Sequence, residues 1–278
     1  MIAARLPGDR LHLQHGPINL IIGADGAREA AFAAACARFE TVLGELVAEL
    51  PLLRQSVGVR PCGAIARAMH AACLPHGAVF VTPMAAVAGA VAQTVLAAMV
   101  AAGGLTRAYV NNGGDIALHL GPGATFRLAM VGLDGADRGR ITVGADDAVR
   151  GIATSGRGGR SLTLGIADHV TTLAATAALA DVAATLIANA VDLPGHPAIA
   201  RTPANTVAPD SDLGTRPVVT HVGHLSVAEQ NRALHCGATI AADMQARGLI
   251  IAAALFLGNR SRVIGAPHLI EQKEPAHA

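Results

Sequence analysis

GIATSGRGGRSLTLGIADHVTTLAATAALADVAATLIANAV, residues 151–191, decides the fold. It opens with a polar turn, Thr154-Ser155-Gly156, followed by Arg157-Gly158-Gly159-Arg160. A β-like run from Ser161 to Ile166 leads to Asp168, and a second short run spans His169 to Leu173. The Ala-rich pattern then predicts a helix from about Ala174 to Ala190. Asp181 stands in the middle of that helix among apolar residues. A carboxylate there is costly unless it is paired, hydrogen-bonded or bound to a cation. Thr185 lies four residues on and Asn189 eight, so the three project from one face. Carboxylate, hydroxyl and amide are hard oxygen ligands of the kind Mg²⁺ or Ca²⁺ prefers. The structural alternative is that a neighbouring Thr, a backbone amide or an Arg satisfies Asp181.

Composition sets the limits outward from this stretch. The chain has 278 residues, 52% of them hydrophobic, enough for a substantial core in one large domain or two small ones. Aromatic residues are only 2% and the net charge is +1. Base-stacking platforms and basic runs are therefore missing, which argues against nucleic acid and membrane surfaces as partners. None of Cys36, Cys62, Cys73 and Cys236 forms a C-x-x-C pair. Cys36 and Cys236 fall in Ala-rich helical stretches, where a buried reduced thiol is expected. The N-terminus shows no apolar h-region, and a reducing cytoplasm is the expected compartment. Met84 to Ala102 is apolar except for Gln93 and Thr94, but Ala and Val dominate and basic flanks are missing. It reads as a buried helix rather than a membrane span.

Upstream, Arg10–Gly16 and Pro17–Gly23 predict a hairpin turning at Gly16-Pro17. A helix is predicted over 27–50, stopped at Pro51. Residues 51–83 read as irregular with a short helix near 64–73. Arg54, Arg60 and Arg67 there form either a solvated face or a loop that contacts phosphate or carboxylate. Thr106–Val110 and Ile116–Leu120 read as strands flanking Asn111-Asn112-Gly113-Gly114-Asp115. Its glycines permit positive φ and close approach to a ligand. An ordinary hairpin turn explains the same residues. Strands are predicted at 125–131, 140–143 and 149–154. Downstream, 192–217 reads as a long loop, 218–222 as a strand, and Ser226 to about Arg247 as a helix with Glu229 completing a capping box. Leu249–Leu257 reads as a buried strand, and the tail from Pro267 as loosely ordered. The chain lacks an H-E-x-x-H pattern, a G-x-S-x-G elbow and a Walker or G-x-G-x-x-G loop.

The ordered set resembles the ApbE-like family, the FAD:protein FMN transferases, over roughly residues 84–192. Asn112-Gly113-Gly114-Asp115 is similar to that family's N-x-G-G-D, and Ala153-Thr154-Ser155-Gly156 to its A-T-S-G turn. Asp168 falls at the Asp of H-I-x-D-P, and Ala180-Asp181 with Thr185 resembles the A-D-A-x-x-T helix. The resemblance implies a T-fold-like architecture and a domain that binds FAD. It implies Asp181 and Thr185 as Mg²⁺ ligands. It places Asn112, Gly113, Gly114, Asp115, Thr154, Ser155, Gly156 and Arg157 around the flavin nucleotide, with Asp168 and Asp181 as the catalytic candidates. The implied chemistry is transfer of FMN to a Thr or Ser of an acceptor protein. The sequence departs from the pattern at Gln93, which replaces an acid, at Gly165, which replaces the His, and at His169, which replaces the Pro.

Three functions follow. One is Mg²⁺-dependent transfer of FMN from FAD to a partner protein. A second is a module that binds a flavin or other nucleotide without turnover. A third is another small-molecule enzyme using Arg157 and Arg160 to hold an anion. The expected architecture is α+β: one domain over 1–278, with mixed, largely antiparallel sheets packed on long Ala-rich helices. A homodimer is compatible with the sequence.

Overall fold

The computed structural model describes residues 1–133, 135–159, 161–266 and 268–273. Arg160 and Pro267, where two of the expectations above fall, lie outside the described residues, as does 274–278. In chain order the first elements are β1 (Ile2–Leu6), β2 (Arg10–His15), β3 (Ile18–Gly26), α1 (Arg28–Ala48), α2 (Leu50–Leu53), α3 (Ala64–Cys73) and α4 (Val87–Ala101). Then come β4 (Leu105–Asn112), β5 (Asp115–Leu120), β6 (Thr125–Val131), β7 (Asp137–Gly144), β8 (Gly151–Ser155), β9 (His169–Ala174) and α5 (Ala177–Ala190). The last are β10 (Ile199–Pro203), α6 (Ala204–Val207), β11 (Pro217–Val222), α7 (Val227–Ala246), β12 (Ala252–Leu257), β13 (Arg260–Gly265) and β14 (Ile270–Gln272). The class is α+β.

The chain forms two compact units. The first comprises Met1–Thr125, Gly144–Ala153 and Ala174–Val182. Its strands run β1-β2-β3-β4-β5-β8 across an antiparallel sheet. Register decides which side chains meet. Leu13 opposes Leu20, Leu20 opposes Asn112, and Asn112 opposes Asp115. Opposed residues share a face, and Leu13 and Leu20 are fully buried. Asn112 and Asp115 therefore sit on the core face of the sheet. That face carries α4, which packs on β4, β5 and α1. Pro83–Ala101 is long and apolar enough to cross a membrane by length and composition. Here its Val91, Val95, Leu96 and Met99 are buried against the sheet and α1, as a core helix.

Local chemistry explains the boundaries. The Gly16-Pro17 turn forms as expected between β2 and β3. Helix α1 stops at Ala48, where the Glu49 carboxylate accepts the N–H groups of Cys62 at 2.7 Å and Gly63 at 2.6 Å. Pro51 then opens the short α2, a position where its missing N–H costs nothing. Arg54, Arg60 and Arg67 are exposed, as a solvated face would have them. A 3₁₀ turn, Pro83–Ala86, precedes α4, and Gly103 and Gly104 at φ 81° and 69° end it.

The second unit comprises Phe126–Val143, Thr154–Leu173 and Ala183–Ala278. It holds the antiparallel run β9-β12-β13, the trio β14-β7-β6 and the pair β10-β11. Helix α7 starts with the expected capping box between Ser226 and Glu229. Its apolar stripe joins Val170, Ile187, Val191, Leu255 and Leu257 in one core. At Gly237 an added Cβ would stand 2.3 Å from Val191 Cγ2, so the missing side chain is what lets α7 approach.

Several expectations are corrected. Ser161–Ile166 is not a strand; its bonds are irregular, Leu164 N–H donating to Asn189 Oδ1 at 2.9 Å, Ile166 N–H to the Val191 carbonyl at 2.8 Å, and Val219 N–H to the Thr163 carbonyl at 2.9 Å. The loop expected over 192–217 contains β10 and α6, because β10 finds its partner in β11. The buried strand starts at Ala252 rather than Leu249. Asn111 and Asn112 belong to β4, leaving Gly113-Gly114 as the turn. Cys236 is exposed, since the buried stripe of α7 passes through Leu234, Gly237 and Ala241 and misses it; Cys36 is half-buried.

Candidate functional site

In the first unit the site is built on one hairpin and two helices. Gly113 and Gly114 turn between β4 and β5 at φ 68° and 116°, both in the region that favours glycine. Gly114 N–H donates to Asn111 Oδ1 at 2.8 Å, which closes the turn. Asn112 Nδ2 donates to the Ala88 carbonyl at 3.2 Å and fastens the hairpin to the start of α4. Helix α4 has no side-chain cap of its own, since Ala86 holds the N-cap position. Asp181 supplies one from a distance: its Oδ2 accepts the Gly89 N–H at 2.9 Å, and the Ala88 amide bonds the same carboxylate. The structural alternative for Asp181 is thus realised through backbone amides.

The electrostatics of Asp181 are opposed. Burial and then the neighbouring Asp115 carboxylate push its pKa well above the ordinary range. The two amides, at the positive end of α4, pull it down and do not prevail. Cys73 lies within the same field. Burial, with Asp181 adding to it, raises its thiol far above the usual value. Cys73 Sγ donates to the Thr82 carbonyl at 3.4 Å. This thiol is inert as a nucleophile at neutral pH.

The approach of α5 to α4 depends on one residue that sequence reasoning missed. A Cβ at Gly89 would stand 2.2 Å from the Ala177 carbonyl oxygen. A glycine inside an Ala-rich helical pattern was the available signal. Thr185, one turn beyond Asp181 on α5, is half-buried and belongs to the second unit. Asn189 is employed elsewhere, accepting from Leu164 N–H and lying 3.2 Å from Thr163 Oγ1.

In the second unit the turn after β8 folds onto 167–168. Arg157 N–H donates to the Ala167 carbonyl at 2.9 Å, and Gly158 N–H to the Asp168 carbonyl at 3.2 Å. Gly156, at φ 138°, allows this, since a Cβ there would be 2.7 Å from the Asp168 oxygen. Thr154 is exposed, with Oγ1 3.0 Å from Thr171 Oγ1, and Ser155 is half-buried. Both oxygens of Asp168 are engaged. Oδ1 accepts from Arg157 Nε at 2.7 Å, and Oδ2 from the Gly258 N–H at 2.6 Å. Asp168 therefore ties a turn to a hairpin. Asp168→Ala is expected to lower stability by about 1–2 kcal/mol in urea unfolding, mostly because it leaves the Gly258 amide without its acceptor, the exposed Arg157 guanidinium being screened by water. An unchanged midpoint would refute this tie. Gly165 is equally confined: a Cβ there would sit 2.1 Å from the Ala188 carbonyl oxygen.

The structure thus groups Asn112, Gly113, Gly114, Asp115 and Asp181 in the first unit, and Thr154, Ser155, Gly156, Arg157 and Asp168 in the second. Among the described residues no three His, Cys, Asp or Glu side chains gather closely enough to cage a metal ion. Mg²⁺ rarely needs such a cage; one or two carboxylates and the oxygens of a bound phosphate suffice. Asp115 beside Asp181 fits that requirement, because a dication would offset the repulsion between them.

A family model described as AbpE bacteria matches residues 3–263. The chain is similar to the UPF0280 protein of Methanococcoides burtonii, 38% identical over 119 residues, 41% of this chain and 47% of that protein. It is 37% identical to the UPF0280 protein of Methanopyrus kandleri over 129 residues, 45% of this chain and 48% of that protein. It is 40% identical to the UPF0280 protein of Methanothermobacter thermautotrophicus over 119 residues, 41% of this chain and 44% of that protein. The chain spans about half the length of the curated relatives it matches.

Proposed function

The chain belongs to the AbpE bacteria family, and from that premise we propose that it binds a flavin nucleotide, FAD, with Mg²⁺ on its phosphates. One observation carries this reading: the carboxylate of Asp181, buried at the start of α4, feels the charge of Asp115, which opposes Asn112 at the Gly113-Gly114 turn. A buried carboxylate beside a half-buried one favours a bound cation. The resemblance to the FAD:protein FMN transferases supplies the ligand. Bound Mg²⁺ would neutralise charge on the phosphate oxygens and make the phosphoryl group a better electrophile.

The protein's own groups have distinct tasks in this reading. The amides of Ala88 and Gly89 fix the direction of the Asp181 carboxylate. Gly113 and Gly114 present backbone without side chains, which allows close approach. Within the second unit, Asp168 holds Arg157 and the hairpin at Gly258 in place. In the transfer reaction a Ser or Thr hydroxyl of an acceptor protein would attack the FMN phosphorus. The bond to AMP would break, and AMP would leave with the electron pair.

A second reading, binding without turnover, is favoured by Gly165 and Gln93. No side chain fits at Gly165, where the resembled family carries a His. Gln93, in place of an acid, keeps its Oε1 buried without a hydrogen-bond partner among the described residues. One experiment separates the readings: titration with FAD, with and without Mg²⁺, following flavin fluorescence and AMP in the same sample. Mg²⁺-dependent binding lost in Asp181→Asn supports the site; AMP released on adding acceptor protein supports transfer. FAD binding indifferent to both Mg²⁺ and Asp181→Asn would refute the site, and no binding would refute the function.

A further inference from the structure

We propose that the cleft between α7 and β13 binds a small phosphate-bearing anion. The cleft lies wholly within the second unit and measures about 740 Å³, a volume in the range of small-molecule sites. β13 is the last strand of its sheet and pairs only with β12. In that register Arg260 opposes Leu257 and Arg262 opposes Leu255. Opposed residues point to the same face, and Leu255 and Leu257 join Leu234 and Ala241 of α7 in the core. Both guanidinium stems therefore leave the sheet on the α7 side, two residues apart. Beyond the flank of α7 they are exposed, and neither makes an ion pair among the described residues.

The rest of the lining has matching chemistry. Lys273 enters from the end of β14, with its ammonium 3.6 Å from Asp137 Oδ2. On α7, Asn231, His235 and Thr239 recur every four residues, so one stripe of polar side chains faces the two arginines, the Thr239 hydroxyl donating to the His235 carbonyl at 3.0 Å and leaving its oxygen as an acceptor. No carboxylate lines the cleft among the described residues. Two planar guanidiniums, an ammonium and polar side chains suit an anion with several oxygens and more than one negative charge. The net charge of the whole chain is only +1, so the attraction is local to this cleft. Its mouth is also fixed: the turn that carries Asn259 begins at Gly258, whose N–H is held by Asp168 at 2.6 Å.

Calorimetric titration with inorganic pyrophosphate and with AMP tests the proposal, in low-chloride buffer and without Mg²⁺. Wild-type protein should bind at least one probe. The double variant Arg260→Gln/Arg262→Gln should bind it about tenfold more weakly or worse, the loss of charge-assisted hydrogen bonds from exposed side chains that the fold does not need. Lys273→Gln, on a different strand, should weaken binding about threefold. Asp181→Asn should leave it unchanged, which separates this cleft from the flavin site. The proposal is overturned if neither probe binds at millimolar concentration. It is overturned equally if binding survives the double variant, in which case the arginines only guard an edge strand.

Discussion

Replacing Asp181 with alanine should lower the stability of the protein by about 3 kcal/mol, the larger part of it from the amides left behind. Ala88 and Gly89 would lose the acceptor that caps α4, and no side chain at Ala86 can replace it. Asp181→Asn keeps an acceptor in place and should recover most of the loss. The pH dependence gives a second signature. Burial and Asp115 raise the Asp181 pKa in the folded state above its unfolded value, which is near 4. The folded protein therefore holds this proton to higher pH than the unfolded chain. Stability should fall as pH rises from about 4 towards the raised value, and level off above it. Asp181→Asn should lack that slope. Urea unfolding across this range, with EDTA present, measures both effects. A wild-type slope equal to that of the Asn variant would contradict the assignment.

Gly89→Ala should destabilise by about 3 kcal/mol, although helix propensity alone favours alanine by about 1 kcal/mol. The added Cβ would meet the Ala177 carbonyl oxygen at 2.2 Å and its carbon at 2.5 Å. Both are backbone atoms, so no rotamer relieves the clash and α4 must move from α5. That movement would also lengthen the Gly89 bond to Asp181. The losses of Gly89→Ala and Asp181→Ala should therefore overlap in the double variant rather than add. Gly44 in α1 is the control. A Cβ there meets nothing within 4 Å, and Gly44→Ala should follow propensity and stabilise. Thermal unfolding of the single variants compares the two signs, and a Gly89→Ala protein as stable as wild type would remove the argument for close approach.

What could be read from the chain follows from where each signal resides. α1, α5 and α7 announced themselves by periodicity, composition and, for α7, the Ser226–Glu229 box, all local properties. β1 and β13 did not. Each is an edge strand with exposed or polar side chains, IAARL and RSRVIG, and pairing rather than alternation makes them strands. The Ser161–Ile166 run shows the converse, a β-like composition that finds one backbone bond to β11, Val219 N–H to the Thr163 carbonyl, and no ladder. Asp181 stood out as an acid in an apolar helix, but its donor lies 92 residues away and could not be read locally. The same holds for Asp168, whose second oxygen is held by Gly258, 90 residues on. Site residues were thus recognisable by type, while their duties were set by tertiary partners.

Gly165 also constrains which side chains this scaffold can carry. Its Cα faces the α5 backbone, with the Ala188 oxygen where a Cβ would begin. Any larger residue there would be rejected until the last turn of α5 had shifted outwards. A histidine at this position would therefore need a prior change that loosened the helix, and grafting one onto this scaffold would have to begin there.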